Sequence, residues 1–188
     1  MDQIDIQKNI ERISEGDDAG FVEILNFYIK PVFNFVYRIC GNSKDAEDIT
    51  QEVFIKLWKN LKKYRPGTSF KAWLFSIARN TAIDWLRKKK NINFSAFEDE
   101  EGENKLFDSV VDESPWPDDL AIKAENSGMI EGFISKLPAI YKEVIVLRYK
   151  NQLTFDEIGE VIGRPANTVK SQHQRALNYL KKMLDASN

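Results

Sequence analysis

The stretch TFDEIGEVIGRPANTVKSQHQRALNYL, residues 154–180, has the spacing of two short helices that cross at a steep angle. Such a crossing needs a small residue where the helices touch, and Gly159 supplies it. The turn needs a residue that accepts positive φ, and Gly163 follows four positions later. An apolar residue of the second helix must plug the crossing, and Val169 stands six positions further on. Ile158 and Ile162 complete a small core. Thr154 is placed to cap the first helix, and Pro165 sits near the start of the second. The joint spacing predicts a helix-turn-helix.

The second helix divides into two faces. Val169, Ala176, Leu177, Leu180 and Leu184 point inward, with His173 expected at the edge as a half-buried packing residue. Asn167, Lys170, Ser171, Gln174 and Asn178 point outward, with Arg175 beside them. Amides can pair with adenine, and guanidinium or ammonium groups with guanine or phosphate. Carboxylates are scarce on this face, so it is expected to contact DNA in the major groove rather than solvent alone.

The rest of the chain reads as helix, with no convincing β-alternation. Leu120 to Lys136 forms one helical stretch, and Pro138 opens another with Ile140, Val144, Ile145 and Leu147 apolar. In the N-terminal half, Ala19 to Ile29 and Pro31 to Cys40 are expected as two helices broken at Pro31, the second closed by Gly41. Ser43 or Asp45 caps a helix running to about Lys62, with Ala46, Ile49, Val53, Leu57 and Leu61 on one stripe. A long helix, Phe70 to Lys90, follows the loop LKKYRPGTS; it is apolar at Phe70, Trp73, Leu74, Ile77 and Thr81 and polar behind. The predicted fold is all-α: two small helical domains, 1–92 and 119–188, joined by a flexible acidic linker over 93–118.

Composition narrows the chemistry. The 188 residues contain one cysteine, Cys40, and one histidine, His173. No intrachain disulfide, cysteine-based zinc site or histidine cluster can be built, and no cofactor or catalytic residue is expected. No apolar run reaches the length of a membrane span, and the N-terminus lacks the order of a signal peptide, which predicts an intracellular protein. The net charge of −2 hides a division. Ten carboxylates and one base lie between Glu98 and Asp119, which leaves 26 bases and 19 acids, a net of +7, on the remainder. Two basic bodies joined by an acidic strap favour an anionic partner such as nucleic acid. Within the strap, Phe94, Phe97, Leu106, Phe107 and Trp116 are candidates to dock on a neighbouring surface.

Two surfaces of the N-terminal half stand out. Asp48, Gln51 and Glu52 form an outward polar patch, and the pattern leaves open whether Trp58 joins it as an exposed binding residue or packs in the core. Lys62, Lys63, Tyr64 and Arg65 are followed by Trp73, Arg79, Asn80, Trp85, Arg87, Lys88, Lys89 and Lys90. Cations interleaved with aromatics suit single-stranded nucleic acid, although core packing is the better reading for Trp73.

These motifs resemble one family. AEDITQEVFIKLWKNL followed by SFKAWLFSIARNTAIDWLRKKK is similar to conserved region 2 of bacterial RNA polymerase sigma factors. LPAIYKEVIVLRYKNQLTFDEIGEVIGRPANTVKSQHQRALNYLKKML is similar to region 4. The resemblance spans roughly residues 15–92 and 120–184, and the short linker resembles that of the extracytoplasmic-function group. It implies that Asp48, Gln51 and Glu52, with Trp58, bind a coiled coil of core RNA polymerase. It implies that the loop Lys63 to Ser69 captures a base flipped from the −10 element. Lys63, Tyr64, Arg65, Arg79, Asn80, Asp84, Arg87 and Lys88 would face that melted strand. Asn167, Thr168, Lys170, Ser171, Gln174 and Arg175 would read the duplex −35 element. The linker would thread the RNA exit channel. Gly159 and the run Gln172-His173-Gln174 depart from commoner residues of relatives. Trp73-Leu74-Phe75 lacks the paired tryptophans that the housekeeping sigma uses for melting, which implies narrow promoter choice.

The function so implied is recruitment of core polymerase to promoters for transcription initiation, without catalysis. The resemblance further implies an anti-sigma partner, and cytoplasmic placement or tethering at the inner membrane through that partner. The competing reading is a stand-alone helix-turn-helix regulator. A nuclease is disfavoured because Asp48 and Asp84 are isolated carboxylates with no metal-ligand cluster around them.

Overall fold

A computed structural model describes residues 3–90 and 127–186. Among them are eight α-helices and no strand: α1 (Gln3–Ser14), α2 (Ala19–Cys40), α3 (Ser43–Asn60), α4 (Phe70–Lys90), α5 (Ser127–Lys136), α6 (Ala139–Ile145), α7 (Phe155–Ile162) and α8 (Ala166–Asp185). A short 3-10 turn, Leu61–Lys63, follows α3, and a wide π turn, Val146–Lys150, follows α6. The expectations for 93–118 and for Leu120 to residue 126 lie outside the described residues.

The sequence reading assigned no helix before Ala19, yet α1 packs on α2. Ile6 is buried and Ile10 and Ile13 pack against the core. Their spacing of four and three residues is the helical signal that reading passed over.

Pro31 does not break α2. It lies inside one continuous helix, where its missing N–H deprives the Phe27 carbonyl of a partner at a cost of about 3 kcal/mol. Ile24 and Tyr28 before it and Val32, Phe35 and Val36 after it are all buried on one stripe. A break would turn the second half off the core, so burial on both sides outweighs the lost bond. The cap of α3 is likewise neither Ser43 nor Asp45. Asn42 accepts the Asp45 backbone N–H at 3.0 Å, while the Ser43 hydroxyl turns to Glu47.

The expected stripe of α3 is buried throughout, from Ala46 to Leu61. The longest helix of the second body, α8, behaves similarly: Val169, Ala176 and Leu180 are buried, and Leu177 and Leu184 pack beside them. The expectation for α4 needs correcting. Phe75, Ala78 and Ala82 are buried as well as Phe70, Leu74 and Thr81 of the predicted stripe, while Trp73 and Ile77 are half-buried beside them, because α4 packs on α2 and α3 on one side and on α7 on the other. One apolar core therefore runs from Ile6 to Leu180 through both halves.

Candidate nucleic-acid and protein interfaces

The first surface is the outer face of α3. Its cap and buried stripe fix the helix so that Asp48, Gln51, Ile55 and Trp58 face solvent. Glu52 pairs with Lys56 at 2.8 Å, one turn on. Lys56 also donates to Thr81 Oγ1 at 3.2 Å, tying the patch to α4. Trp58 is 43% exposed, and its ring meets Phe21 edge-on with centroids 4.8 Å apart. The alternative left open by the sequence is thus resolved toward an exposed tryptophan braced by one aromatic neighbour. Ile55, 53% exposed within the same stripe, escaped the sequence reading, although its position between Gln51 and Trp58 was a usable signal.

The second surface combines the loop after α3 with α4. Lys63 and Arg65 are exposed. Tyr64 is not: its ring packs near Phe70 and Trp73, and its hydroxyl donates to the Thr68 carbonyl at 2.6 Å. In this arrangement the Tyr64 ring closes the loop instead of offering a face to a base. Leu74 and Phe75 are fully buried. Trp85 is half-buried with Nε1 lacking a hydrogen-bond partner among the described residues.

Along α4, Asn80, Asp84, Arg87 and Lys88 share the open side, with Asp84 and Arg87 at 3.8 Å. Arg79 lies apart from them. It points into the second body, where Nε meets Glu143 Oε1 at 2.6 Å, with side-chain exposures of 15% and 6%. Burial pushes the Glu143 carboxyl above its ordinary range, opposed by the charge and hydrogen bond of Arg79. Nearby, the Ser69 hydroxyl donates to Glu157 Oε1 at 2.5 Å. Burial acts to raise the Glu157 carboxyl, but bonds from Ser69 and Thr154 outweigh it, and Lys71 adds to them, so the net shift is downward. Neither Glu143 nor Glu157 was singled out from sequence; a carboxylate inside the apolar run from Tyr141 to Leu147 was the available sign for the first.

The third surface is the helix-turn-helix itself. Thr154 and Glu157 form a reciprocal capping box on α7. Gly163 has φ 71°, and a Cβ on Gly159 would stand 2.6 Å from the Arg164 carbonyl oxygen, so the turn lies directly against α7. Val169 is wholly buried in the crossing. On α8, Asn167, Lys170 and Ser171 are exposed, and Thr168, Gln174 and Arg175 are half-exposed on the same side of the motif. Gln172 is buried, which the two-face reading had not anticipated. His173 is half-buried against Tyr149 and Phe155, as a packing role requires.

Among the described residues no group of His, Cys, Asp and Glu is placed to hold a metal ion, and no helix is long and apolar enough to cross a membrane.

Comparisons with known proteins follow this division. Residues 26–92 match the family model for sigma-70 region 2, and residues 127–180 match that for sigma-70 region 4. The chain is 36% identical to the ECF RNA polymerase sigma factor SigW of Bacillus subtilis over 95% of its own length and 96% of the relative's. It is 30% identical to the ECF RNA polymerase sigma-E factor of Escherichia coli K12, over 93% and 92% of the two chains. Its fold is similar to that of CnrH, solved with the cytosolic domain of CnrY, at a TM-score of 0.66 and 21% identity over 100% and 99% of the two chains. It is also similar to the sigma factor RpoE of Bartonella quintana, solved with the anti-sigma factor NepR, at a TM-score of 0.64 and 23% identity over 89% and 98%.

Proposed function

The chain belongs to the extracytoplasmic-function group of sigma-70 factors, and from that membership we propose how its surfaces divide the work of promoter-directed transcription initiation. Sigma factors are DNA-recognition regulatory proteins, and this one directs core RNA polymerase to promoters. The observation that carries the reading is the pairing of region 2 and region 4 on one chain alongside a relative aligned over nearly its whole length.

The α3 stripe of Asp48, Gln51, Glu52 and Trp58 is assigned to core polymerase, with Ile55 added. The melted −10 strand is assigned to Lys63, Arg65, Asn80, Asp84, Arg87 and Lys88, and to Arg79 once its ion pair is released. Tyr64 supports the loop from within. The −35 duplex is assigned to Asn167, Thr168, Lys170, Ser171, Gln174 and Arg175, whose amides, hydroxyls and cations match base edges and phosphates. Two modest DNA sites on one polymerase-bound scaffold gain from effective concentration, so neither requires high affinity alone. The protein acts without catalysis of its own. An anti-sigma protein is the proposed regulatory partner, as NepR is for the Bartonella relative, and the cytoplasm is the proposed location.

The test is binding of the purified chain to core RNA polymerase, beside a triple variant Asp48→Ala, Gln51→Ala, Glu52→Ala of equal helicity. Tight binding by the parent, lost in the variant, supports the assignment of α3. Absence of binding by a folded parent chain would favour the stand-alone regulator.

A further inference from the structure

Trp58 stands on the surface assigned to core polymerase, and the ring that braces it belongs to another helix. Phe21, in the first turn of α2, meets the indole edge-on with centroids 4.8 Å apart. It lies before the residues 26–92 that match region 2, and it packs half-buried against the core. Trp58 itself is 43% exposed, so this edge contact restrains a ring that solvent would otherwise leave free to turn. A large side chain ordered before it docks spares the interface the entropy of ordering it.

The turn that carries Phe21 is held from α1. Asp18, the N-cap residue of α2, makes no side-chain cap. Its neighbour Asp17 takes that place: Oδ1 accepts the Ala19 N–H at 3.0 Å, while Oδ2 accepts from Arg12 Nε at 2.8 Å. Arg12 Nη1 also donates to Glu23 Oε1 at 2.8 Å and to Asn9 Oδ1 at 3.1 Å. One guanidinium of α1 thus grips the chain on both sides of Phe21. The helices also approach closely here, since a Cβ on Gly20 would stand 2.6 Å from the Asn9 carbonyl oxygen. Exposed ion pairs add little to stability singly, whereas a guanidinium fork fixes geometry, and the geometry fixed here is that of the turn bearing Phe21.

We propose that Phe21 is a positioning residue for core-polymerase binding: it holds the Trp58 indole in the orientation that polymerase receives, and α1 acts on that interface through it. The inference rests on the assignment of α3 to core polymerase made above. It extends the docking apparatus to a helix that carries none of the residues assigned to polymerase.

The experiment titrates core RNA polymerase with the full chain as parent, Phe21→Ala, Trp58→Ala and the double variant. Trp58→Ala should weaken binding about thirtyfold, as loss of a central tryptophan does. Phe21→Ala should weaken it about fivefold, but less than about twofold once Trp58 is alanine, because no indole is left to position. Phe21→Tyr keeps the ring edge and should stay within about twofold of the parent, whereas Phe21→Leu keeps apolar bulk without the ring and should lose about threefold. Arg12→Ala should weaken binding only where Trp58 is present. Lys8→Ala, at an exposed position of the same helix, should bind as the parent does. Fluorine NMR of chains carrying 5-fluorotryptophan reads the indole without polymerase. The resonance that Trp58→Ala removes should shift in Phe21→Ala and return in Phe21→Tyr. An equal loss from Phe21→Ala in both backgrounds, or an unmoved Trp58 resonance, would overturn the positioning role. Phe21→Leu in both backgrounds carries the test if Phe21→Ala loses helicity. A parent that binds core polymerase and weakens in Trp58→Ala keeps the α3 assignment whatever Phe21 does. A folded parent that never binds, or a Trp58→Ala variant that binds as tightly as the parent, loses that assignment and the positioning role with it.

Discussion

The phenol of Tyr149 and the Nε2 atom of His173 lie 2.8 Å apart, joining the π turn after α6 to the middle of the recognition helix. The two rings stack at 5.6 Å, and Phe155 meets the imidazole from α7 at 5.1 Å. Arg148 covers the other aromatic of this cluster, 4.8 Å from the Phe155 ring, and donates to the Leu153 carbonyl at 2.9 Å. Three elements of the helix-turn-helix body thus meet at the one histidine of the chain, and the pitch of α8 against α7 depends on that meeting.

The first prediction concerns acid stability. Burial, assisted by the positive charge of Arg148, lowers the His173 imidazole from 6.5 to about 4, while burial raises the Tyr149 phenol to about 12. The fold therefore prefers the neutral ring. Above pH 6.5 the folded and unfolded forms are both neutral and the contribution of His173 is fully present. As pH falls from 6.5 towards 4, the unfolded chain takes up a proton that the folded one resists, and stability is lost. The ring is only part-buried, so solvent screening reduces the effect to about 1–2 kcal/mol. Denaturant unfolding of the parent and of His173→Phe at pH 7 and pH 4.5 measures it. The parent should lose more than the variant, and parallel losses would count against the assignment.

How far the fold was legible depended on whether a residue's setting was local. Gly159, Gly163 and Val169 are fixed by geometry within a single motif, and their spacing alone led to the observed helix-turn-helix. Pro31 was misread because its local preference is for a break, while the decisive term is burial on both sides of it against α1, α3 and α4. Phe75, Ala78 and Ala82 fell outside the expected stripe for the same kind of reason, since α4 is packed on α2 and α3 on one side and on α7 on the other, with the Phe75 ring 5.2 Å from that of Phe35 on α2. The partners of Arg79 and Ser69 lie 64 and 88 residues away, beyond any periodicity. Tyr64 shows the limit for single side chains: a basic-aromatic run does not say which ring turns inward.

A second prediction ranks the two glycines of the motif. At Gly159 an added Cβ meets a backbone oxygen at 2.6 Å, which no side-chain movement can relieve. Gly159→Val should cost about 2–3 kcal/mol through overpacking against the turn. At Gly163 a Cβ meets nothing within 4 Å, and only the left-handed backbone is strained. Gly163→Ala should cost about 1 kcal/mol. Thermal unfolding of both variants checks the order, which would reverse if the turn were loose and the crossing able to spread.

A third prediction isolates Ile55. It is more than half exposed and lies among the residues assigned to polymerase, yet it supports nothing in the core. Ile55→Ala should leave unfolding free energy within about 0.5 kcal/mol of the parent. Core-polymerase affinity should fall by at least about 1 kcal/mol, or roughly fivefold, if the side chain sits centrally in the interface. Titration of fluorescent protein with core enzyme separates the two quantities. A loss of stability without a loss of affinity would return Ile55 to an unrecognised packing role.

The fourth prediction distinguishes phosphate from base contacts on α8. Lys170 is exposed near the start of the recognition helix, where an ammonium group meets a phosphate as a point charge. Ser171 is its neighbour, with Oγ donating to the Asn167 carbonyl at 3.1 Å, so the hydroxyl oxygen remains free to accept from a base or from water. Duplex binding by the polymerase-bound protein should weaken in Lys170→Ala on every sequence alike, and the slope of log K against log salt should become shallower by about 0.9. Gln174→Ala should leave that slope unchanged and instead compress the affinity difference between preferred and non-preferred duplexes by about 1–3 kcal/mol. Salt titrations on a selected duplex and a scrambled one measure both effects. If Gln174→Ala lowered affinity for the two duplexes equally, the outward amide would be a backbone contact and base reading would have to reside in Asn167, Ser171 and Arg175.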